Sequence, residues 1–108
     1  MAELDITVEQ RARAAVAYLS RFATVTAAYL FGSQVEGTAD RWSDIDLAVF
    51  IEGVEAWDLH DRARTAARVQ KEVGDDIELH FLPAGALQRH HNASFAAWVL
   101  HHGVKLTG

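Results

Sequence analysis

The stretch LFGSQVEGTADRWSDIDLAVF, residues 30–50, contains two aspartates at the start of a run that is otherwise apolar. Asp44 and Asp46 are separated by a single isoleucine, and side chains on a strand alternate between two faces. We therefore expect the two carboxylates to share one face with Ala48 and Phe50. The opposite face is apolar and should pack against the core: Ile45, Leu47, Val49 and Ile51.

A later predicted strand, residues 76–82, repeats this pattern with a third carboxylate. Glu78 and His80 occupy one of its faces. The other face is apolar: Ile77, Leu79 and Phe81. If the two strands are neighbours, Glu78 lies beside Asp44 and Asp46, and three carboxylates meet at one end of a small sheet. His80 shares the face of Glu78 and is a candidate neighbour of this cluster.

Three clustered carboxylates are unfavourable alone, because close like charges raise one another's pKa. A divalent cation reverses this effect, since it becomes the largest local charge in the site. Ligands that are all oxygen atoms favour Mg²⁺ or Mn²⁺ over Zn²⁺. Two such ions, ~3.5–4 Å apart, can hold the attacking and leaving oxygens of a phosphoryl transfer. The carboxylate pattern therefore predicts metal-assisted phosphoryl chemistry.

The turn before these aspartates supplies a candidate phosphate site. Gly32 and Ser33 follow a predicted strand, and the turn at residues 32–37 is expected to start a short helix. Glycine lets the backbone approach a phosphate, and N–H groups at a helix N-terminus point towards it. Ser33 adds a hydroxyl donor. Gly32 and Gly37 have the spacing of a P-loop, but Thr38 follows instead of lysine, which excludes that motif.

Hydrophobic periodicity predicts three helices and three strands, in the order helix, strand, strand, helix, strand, helix. The predicted bounds are 8–22, 24–31, 44–51, 56–73, 76–82 and 92–102. Thr7 is the expected N-cap of the first helix, and Gly103 is the expected left-handed cap of the last. This order indicates an α/β or α+β fold, with one domain over residues 1–108 and a small sheet covered by helices.

Composition and charge exclude several classes of protein. The 108 residues carry a formal net charge of -5, which argues against binding along a nucleic-acid backbone. Cysteine is absent, which excludes disulfides and thiolate zinc sites. No apolar stretch approaches the ~18 residues of a membrane span, and the acidic N-terminus is unlike a signal peptide. The expected location is therefore the cytoplasm.

Taken together, the motifs resemble those of one enzyme superfamily. Gly32-Ser33, ten further residues and Asp44-Ile45-Asp46 form a GS-x10-DxD pattern, within LFGS and SDIDL, with a carboxylate on the following strand. This combination resembles the nucleotidyltransferases of the DNA-polymerase-β-like superfamily, and most of all the minimal nucleotidyltransferases. The resemblance extends from the first helix to the tail SFAAWVLHHGVKL.

The resemblance implies a mixed sheet flanked by helices and Mg²⁺-dependent transfer of AMP from ATP to a hydroxyl group. By position, Gly32 and Ser33 hold the triphosphate, and Asp44 and Asp46 bind both metal ions. Glu78 matches the third carboxylate, which binds the metal ion that activates the acceptor hydroxyl. The family more usually has aspartate there, and the extra methylene of glutamate moves the carboxylate outward.

The resemblance also implies a partner, because minimal nucleotidyltransferases commonly pair with a HEPN-domain ribonuclease toxin. This chain would then be the antitoxin and would add AMP to a tyrosine of the toxin. Two alternatives stay open: a binding module that neutralises its partner by contact, and a nucleotidyltransferase that acts on a small molecule. The short chain disfavours the small-molecule alternative, because such enzymes carry added acceptor-binding structure.

Two residues of the loop before Asp44 have less specific interpretations. Trp42 is expected to cover the rim of the core rather than to stack on a nucleotide base. Arg41 is expected to be solvated rather than to contact a phosphate.

Overall fold

The structure of the protein is a computed structural model that describes residues 4–40 and 42–107. The expectation for Arg41 therefore lies outside the described residues. In chain order the described elements are α1 (Ile6–Leu19), β1 (Val25–Phe31), α2 (Ser33–Glu36), β2 (Ile45–Ile51), a 3₁₀ turn (Val54–Ala56), α3 (Leu59–Val73), β3 (Ile77–Pro83), a 3₁₀ turn (Ala84–Leu87), α4 (Phe95–His102) and β4 (Val104–Thr107). None of these described helices has the length and hydrophobicity that a membrane span requires.

The strands form a mixed sheet in the order β3-β2-β1-β4. β2 runs antiparallel to β1 and parallel to β3, and β4 is antiparallel to β1. The two carboxylate-bearing strands are therefore neighbours, which is the condition on which the expected carboxylate cluster depends. Asp46 on β2 is level with Glu78 on β3 and with Phe31 on β1.

α1 and α3 cover one face of the sheet and form the main core with it. Alternate residues of β2 point into this core, as the sequence predicts. Each fully buried Val, Leu or Ile side chain contributes about 1.5–3 kcal/mol to folding. The buried members from the two helices and from β2 are Ala12, Ala15, Val16, Leu19, Val69, Ile45, Leu47, Val49 and Ile51.

α4 covers part of the opposite face of the sheet, which the sequence analysis left unpacked. Ala48 and Phe50 of β2 are completely buried on this side, in two small clusters that include Ala96 and Val99 of α4. The sequence analysis therefore identified the carboxylates on this face but not the packing of its later residues against α4. Its first residue in β2 is the partly exposed Asp46, and its later residues belong to a second, smaller core.

β4 is absent from the predicted elements. Gly103 was expected to end the last helix in the left-handed conformation, but it is extended (φ -79°, ψ 163°) and leads directly into β4. A side chain at Gly103 would meet the carbonyl oxygen of Val99 at 2.7 Å, so glycine is required here for close packing. β4 has four residues, of which Leu106 is the buried one, and so short a pattern is not recognisable in a sequence.

Side-chain caps determine where the helices begin, and the three longer helices begin at residues other than the predicted ones. The Asp5 carboxylate, rather than Thr7, caps α1 and accepts a hydrogen bond from the backbone N–H of Thr7 at 2.8 Å, so the predicted cap was wrong. α3 starts later than predicted because Asp58 and Asp61 form a reciprocal capping box. α4 also starts later, after the Ser94 hydroxyl, which accepts a hydrogen bond from the helix.

An ion pair ties α1 to the start of β3. The Arg11 guanidinium donates hydrogen bonds to both carboxylate oxygens of Asp76, at 2.7 Å and 2.5 Å, and to the carbonyl oxygen of Val73. These hydrogen bonds lower the pKa of Asp76, against the opposing effect of burial. The two side chains are 34% and 39% exposed, so solvent screens the pair and its contribution to stability is modest.

Replacing Arg11 by alanine should lower the free energy of unfolding by about 1 kcal/mol at neutral pH. The depressed pKa of Asp76 gives stability that is present above the unfolded pKa and is lost as the pH falls through the folded one. In urea-unfolding curves, the difference from wild type should therefore shrink below about pH 4. The matched control is Arg64→Ala, which removes an exposed pair with Asp61 and should cost less than about 0.5 kcal/mol. An Arg11→Ala deficit that stays constant into strong acid would contradict this account.

Candidate active site

Two carboxylates lie side by side near the beginnings of β2 and β3. Asp46 and Glu78 are the second residues of these parallel strands, and their Cα atoms are paired in the sheet. Paired positions on neighbouring strands present the same face, so both side chains leave the sheet on the side that α4 covers. The Asp46 side chain is 23% exposed and the Glu78 side chain is 52% exposed, so solutes can reach both.

His80 lies against these two carboxylates, although the sequence analysis treats it only as a candidate neighbour. Its Nε2 atom is 3.4 Å from an oxygen of Asp46 and 3.7 Å from an oxygen of Glu78. In residues 4–40 and 42–107, these three side chains form a group whose possible ligand atoms all lie within 4.8 Å of one another. The signal in the sequence is the alternation of β3, which puts His80 on the face of Glu78.

Asp44 lies at the margin of this group rather than within it. β2 begins at Ile45, one residue later than predicted, and Asp44 is exposed just before the strand. The side-chain amide of Gln34 donates a hydrogen bond to the backbone carbonyl oxygen of Asp44 at 3.4 Å, which connects this position to α2. Burial and the charge of Asp46 raise the pKa of Glu78 most, and the charge of Asp44 adds the smallest contribution.

The electrostatics of this group suit a cation. Burial raises the pKa of Glu78 most, the charge of Asp46 adds to the rise, and His80 partly opposes it. A carboxyl group whose ionised form is disfavoured gains most from a positive ion bound beside it. The available donors, carboxylate oxygens and one imidazole nitrogen, therefore fit a divalent metal ion.

Glu78→Gln should stabilise the metal-free protein slightly at neutral pH. The raised pKa means that ionised Glu78 disfavours the folded state; this penalty is present above the folded pKa and disappears as the pH falls below the unfolded one. Because the side chain is half-exposed, we expect a gain of about 0.5 kcal/mol, or roughly 2–4 °C in melting temperature. Thermal unfolding at neutral pH and near pH 4 measures the difference, which should be clearly smaller at the lower pH.

With Mg²⁺ present, the wild-type protein should become more stable than Glu78→Gln, which reverses the order expected without metal. A bound cation stabilises the native state by mass action, and the Glu78→Gln variant lacks one of the carboxylates that would hold it. The matched control is Glu72→Gln, a change at an exposed glutamate of α3, which should alter stability by less than about 0.5 kcal/mol. A metal-free Glu78→Gln protein less stable than wild type would show that Glu78 has a structural role instead.

Gly32 brings the turn after β1 directly against Asp46. Its backbone has φ 81° and ψ -153°, a region essentially restricted to glycine. A Cβ atom at this position would lie 2.6 Å from Oδ2 of Asp46. The carbonyl oxygen of Gly32 accepts hydrogen bonds from the N–H groups of Val35 and Glu36, both at 3.0 Å, and Ser33 begins α2. The predicted turn and short helix are therefore present, and they border the carboxylates.

Aromatic rings of β1 and α4 form one wall of the site. The ring of Phe31, whose Cα atom is paired with that of Asp46, lies 5.0 Å from the ring of His80. The ring of Phe95 lies 5.4 Å from Phe31 and 5.8 Å from His80. Phe95 and Trp98 are 42% and 38% exposed. Sequence reasoning missed this wall, because aromatic residues at helical spacing are equally typical of a core-facing stripe.

Trp42 does not cover the rim of the core. It is 79% exposed, so the prediction for this residue was wrong. Asp40 organises the surrounding loop, since its carboxylate accepts hydrogen bonds from the backbone N–H of Trp42 at 2.8 Å and from the Ser43 hydroxyl at 3.3 Å. A short polar loop of this kind satisfies its own hydrogen bonds and has no need of a core contact.

The sheet, the glycine turn and the carboxylates beside it define a nucleotidyltransferase domain. The family model described as Polymerase beta, Nucleotidyltransferase matches residues 14–105. This range includes the Gly32 turn and both strands that carry carboxylates, and the chain belongs to this family. No curated protein matches the sequence.

Solved structures share the fold. A Sulfolobus solfataricus protein described as a candidate nucleotidyltransferase has a TM-score of 0.62 at 25% identity, over 78% of this chain and 74% of that chain. A toxin-antitoxin structure with AMP-PNP has a TM-score of 0.62 at 26% identity, over 89% of this chain and 73% of that chain. A mutant of the toxin-antitoxin pair MntA-HpeT, at 24% identity over the same shares of the two chains and a TM-score of 0.60, adds evidence for the fold alone. These similarities are consistent with a minimal nucleotidyltransferase.

Proposed function

We propose that the protein transfers AMP from ATP to a hydroxyl group of a partner protein and thereby acts as an antitoxin. The observation that carries this proposal is the close approach of the Gly32 turn to Asp46, with Glu78 level with it on the next strand. A glycine turn suited to phosphate thus stands beside carboxylates suited to a divalent metal ion.

Each predicted site residue has a role in this proposal. Asp44, Asp46 and Glu78 hold the metal, with two Mg²⁺ ions as the expected cofactors and Mn²⁺ as an alternative. When bound, the ions neutralise phosphate charge and activate the acceptor oxygen. Gly32 and Ser33 bind the triphosphate through backbone N–H groups and the Ser33 hydroxyl. The support for these roles is the GS-x10-DxD motif, together with the adjacency of Gly32, Asp46 and Glu78.

The proposed reaction joins the acceptor hydroxyl oxygen to the α-phosphorus of ATP. The bond from that phosphorus to the oxygen that bridges to the β-phosphate breaks, pyrophosphate leaves with the electron pair, and the hydroxyl proton passes to solvent. The protein contributes positioning and electrostatic stabilisation to such a reaction. Asp46, which is the less exposed carboxylate, keeps its position against Gly32, whereas the half-exposed Glu78 faces the acceptor.

The exposure of the site supports a protein acceptor. The described part of the chain leaves Glu78, Phe95 and Trp98 accessible, so a partner surface can complete the site. A structural relative is described as a toxin-antitoxin with AMP-PNP, which supports ATP as donor and a toxin as partner. From the resemblance to minimal nucleotidyltransferases, we take the partner to be a HEPN-domain toxin, its acceptor a tyrosine, and the location the cytoplasm, with residues 1–108 acting as one domain.

Intact-mass measurement of the partner tests this proposal. The partner is captured by pull-down with the wild-type protein, purified, and incubated with the protein, ATP and Mg²⁺. We expect its mass to increase by one or more AMP groups, and fragmentation should locate them on tyrosine. The increase should require ATP and should disappear when EDTA removes the metal.

Other results would favour the alternatives and contradict the proposal. A partner that is neutralised without any change in mass would indicate a binding module that acts by contact. The glutamate at position 78 is the feature of the sequence that favours this alternative. AMP transfer to a small hydroxylated compound, with none to the captured protein, would indicate a small-molecule nucleotidyltransferase.

A further inference from the structure

We infer that His80 is itself a metal ligand, so that Asp46, Glu78 and His80 bind divalent first-row transition-metal ions in preference to Mg²⁺. This inference rests on the metal site of the proposed function and goes beyond it. The expectation of Mg²⁺ or Mn²⁺ assumed that all the ligands are oxygen atoms. The His80 imidazole beside the carboxylates adds a nitrogen donor, so that assumption does not hold.

The positions of the three donor atoms are suited to a single ion. Nε2 of His80 lies 3.4 Å from Oδ1 of Asp46 and 3.7 Å from Oε1 of Glu78. Ligand atoms about 2.1 Å from a common ion are separated by roughly 3.0 Å when adjacent and 4.2 Å when opposite in an octahedron. The two separations are each within about 0.7 Å of the adjacent-ligand distance, and all three donor atoms lie within 4.8 Å of one another, so one ion can contact all three side chains once the side chains adjust.

The His80 ring is held so that Nε2 faces the carboxylates. It contacts the ring of Phe31, edge-on at 5.0 Å, and the ring of Phe95 at 5.8 Å, and these two rings also contact each other at 5.4 Å. The side chain is 33% exposed, so it is not a freely rotating surface group. Packed aromatic neighbours restrict the imidazole to a few orientations, and this reduces the entropy that metal binding would cost.

The chemistry of the donors sets the expected preference among metals. Mg²⁺ takes oxygen ligands, whereas imidazole nitrogen suits Zn²⁺, Fe²⁺, Ni²⁺ and Cu²⁺; Mn²⁺ also takes oxygen ligands but stands at the start of the first-row series and accepts imidazole more readily than Mg²⁺ does. Replacing one oxygen donor by His80 should therefore weaken selection for Mg²⁺ and strengthen selection for the transition metals. Within residues 4–40 and 42–107, the group of Asp46, Glu78 and His80 is also the one whose donor atoms come close enough to share an ion.

Metal titrations of the wild-type protein and His80→Ala test the inference. Mn²⁺ and Mg²⁺ are titrated separately, each alone and with a non-hydrolysable ATP analogue. We expect His80→Ala, which removes a direct ligand, to weaken Mn²⁺ binding by about 10-fold, the lower end of the range for changes around a metal site, and Mg²⁺ binding by less than about threefold. His60→Ala, a change at an exposed histidine of α3, is the matched control and should leave both affinities unchanged.

Pulsed electron paramagnetic resonance supplies a readout that needs no variant. Mn²⁺ bound to the wild-type protein should show coupling to an imidazole ¹⁴N nucleus, and His80→Ala should lack it. Bound Mn²⁺ without nitrogen coupling, or equal losses of Mn²⁺ and Mg²⁺ affinity in His80→Ala, would overturn the inference. If His80→Ala does not fold, the wild-type spectrum alone decides.

The experiment separates this inference from the proposed function. If Asp46→Asn abolishes the binding of both metals while His80→Ala changes neither, the metal site stands and the role of His80 fails. If nitrogen-coupled Mn²⁺ is bound but no nucleotide is transferred to any acceptor, the role of His80 stands and the proposed function fails. A wild-type protein that binds neither metal overturns both.

Discussion

Asp46→Asn should lower the rate of nucleotide transfer by at least about 1000-fold, equivalent to about 4 kcal/mol of transition-state stabilisation. Asparagine keeps the size of the side chain and removes its charge. In the structure, Asp46 is the residue that the Gly32 turn, Glu78 and His80 all approach. Loss of its charge should therefore weaken metal binding while the geometry of the fold is preserved.

Asp75→Asn is the matched control for this prediction. Asp75 is an exposed aspartate between α3 and β3, so the same chemical change there should leave transfer within about twofold of wild type. The rate is measured as AMP added to the captured partner, and circular dichroism checks that both variants fold. Full activity of Asp46→Asn would remove the central residue from the proposed site.

Gly32→Ala should lower both stability and activity. Alanine would be strained at φ 81° and ψ -153°, which should cost about 1–3 kcal/mol, or roughly 4–8 °C of melting temperature for each kcal/mol. The new Cβ atom would stand 2.6 Å from Oδ2 of Asp46 and would displace this carboxylate. Because a shift of about 1 Å in a positioned group can cost about 100-fold in rate, we expect a loss of that size.

Gly53→Ala separates the two effects. Gly53 also has a positive φ, 77°, but a Cβ atom there would have nothing within 4 Å. This control should therefore lose about 1 kcal/mol of stability and keep its activity within about threefold. Differential scanning calorimetry and transfer assays on both variants make the comparison. Equal activity in the two alanine variants would mean that the turn does not position Asp46.

The sheet could be predicted from the sequence wherever its pattern was long. β2 has seven residues and its core-facing positions alternate with the others, and its neighbour β3 repeats the pattern, so the core-facing side of both strands was correct, whereas the burial of Ala48 and Phe50 under α4 was not foreseen. β4 could not be predicted, since it is short and its position depends on pairing with β1, which is distant in sequence. The N-cap of α1 was misplaced because several polar residues precede the helix and each of them is a plausible cap.

The candidate site was only partly accessible to sequence reasoning. Gly32, Asp46 and Glu78 were found because each breaks a local pattern, and the fold brings them together. The placement of His80 against the carboxylates depends on side-chain packing by Phe31 and Phe95, and Phe95 comes from α4, which covers the sheet from the other end of the chain. Contacts of this kind follow from tertiary structure and leave no periodic signal.

The main core lies under α1 and α3, whereas the candidate site lies on the opposite face of the sheet. In genetic terms, substitutions that silence the site should leave most of the folding energy intact, and the product should escape the clearance that follows unfolding. An inactive allele would then accumulate as a folded protein rather than disappear. If the proposed partner binds the folded site, such an allele should compete with the intact copy for that partner in a cell that carries both forms, and it should act as a dominant inhibitor.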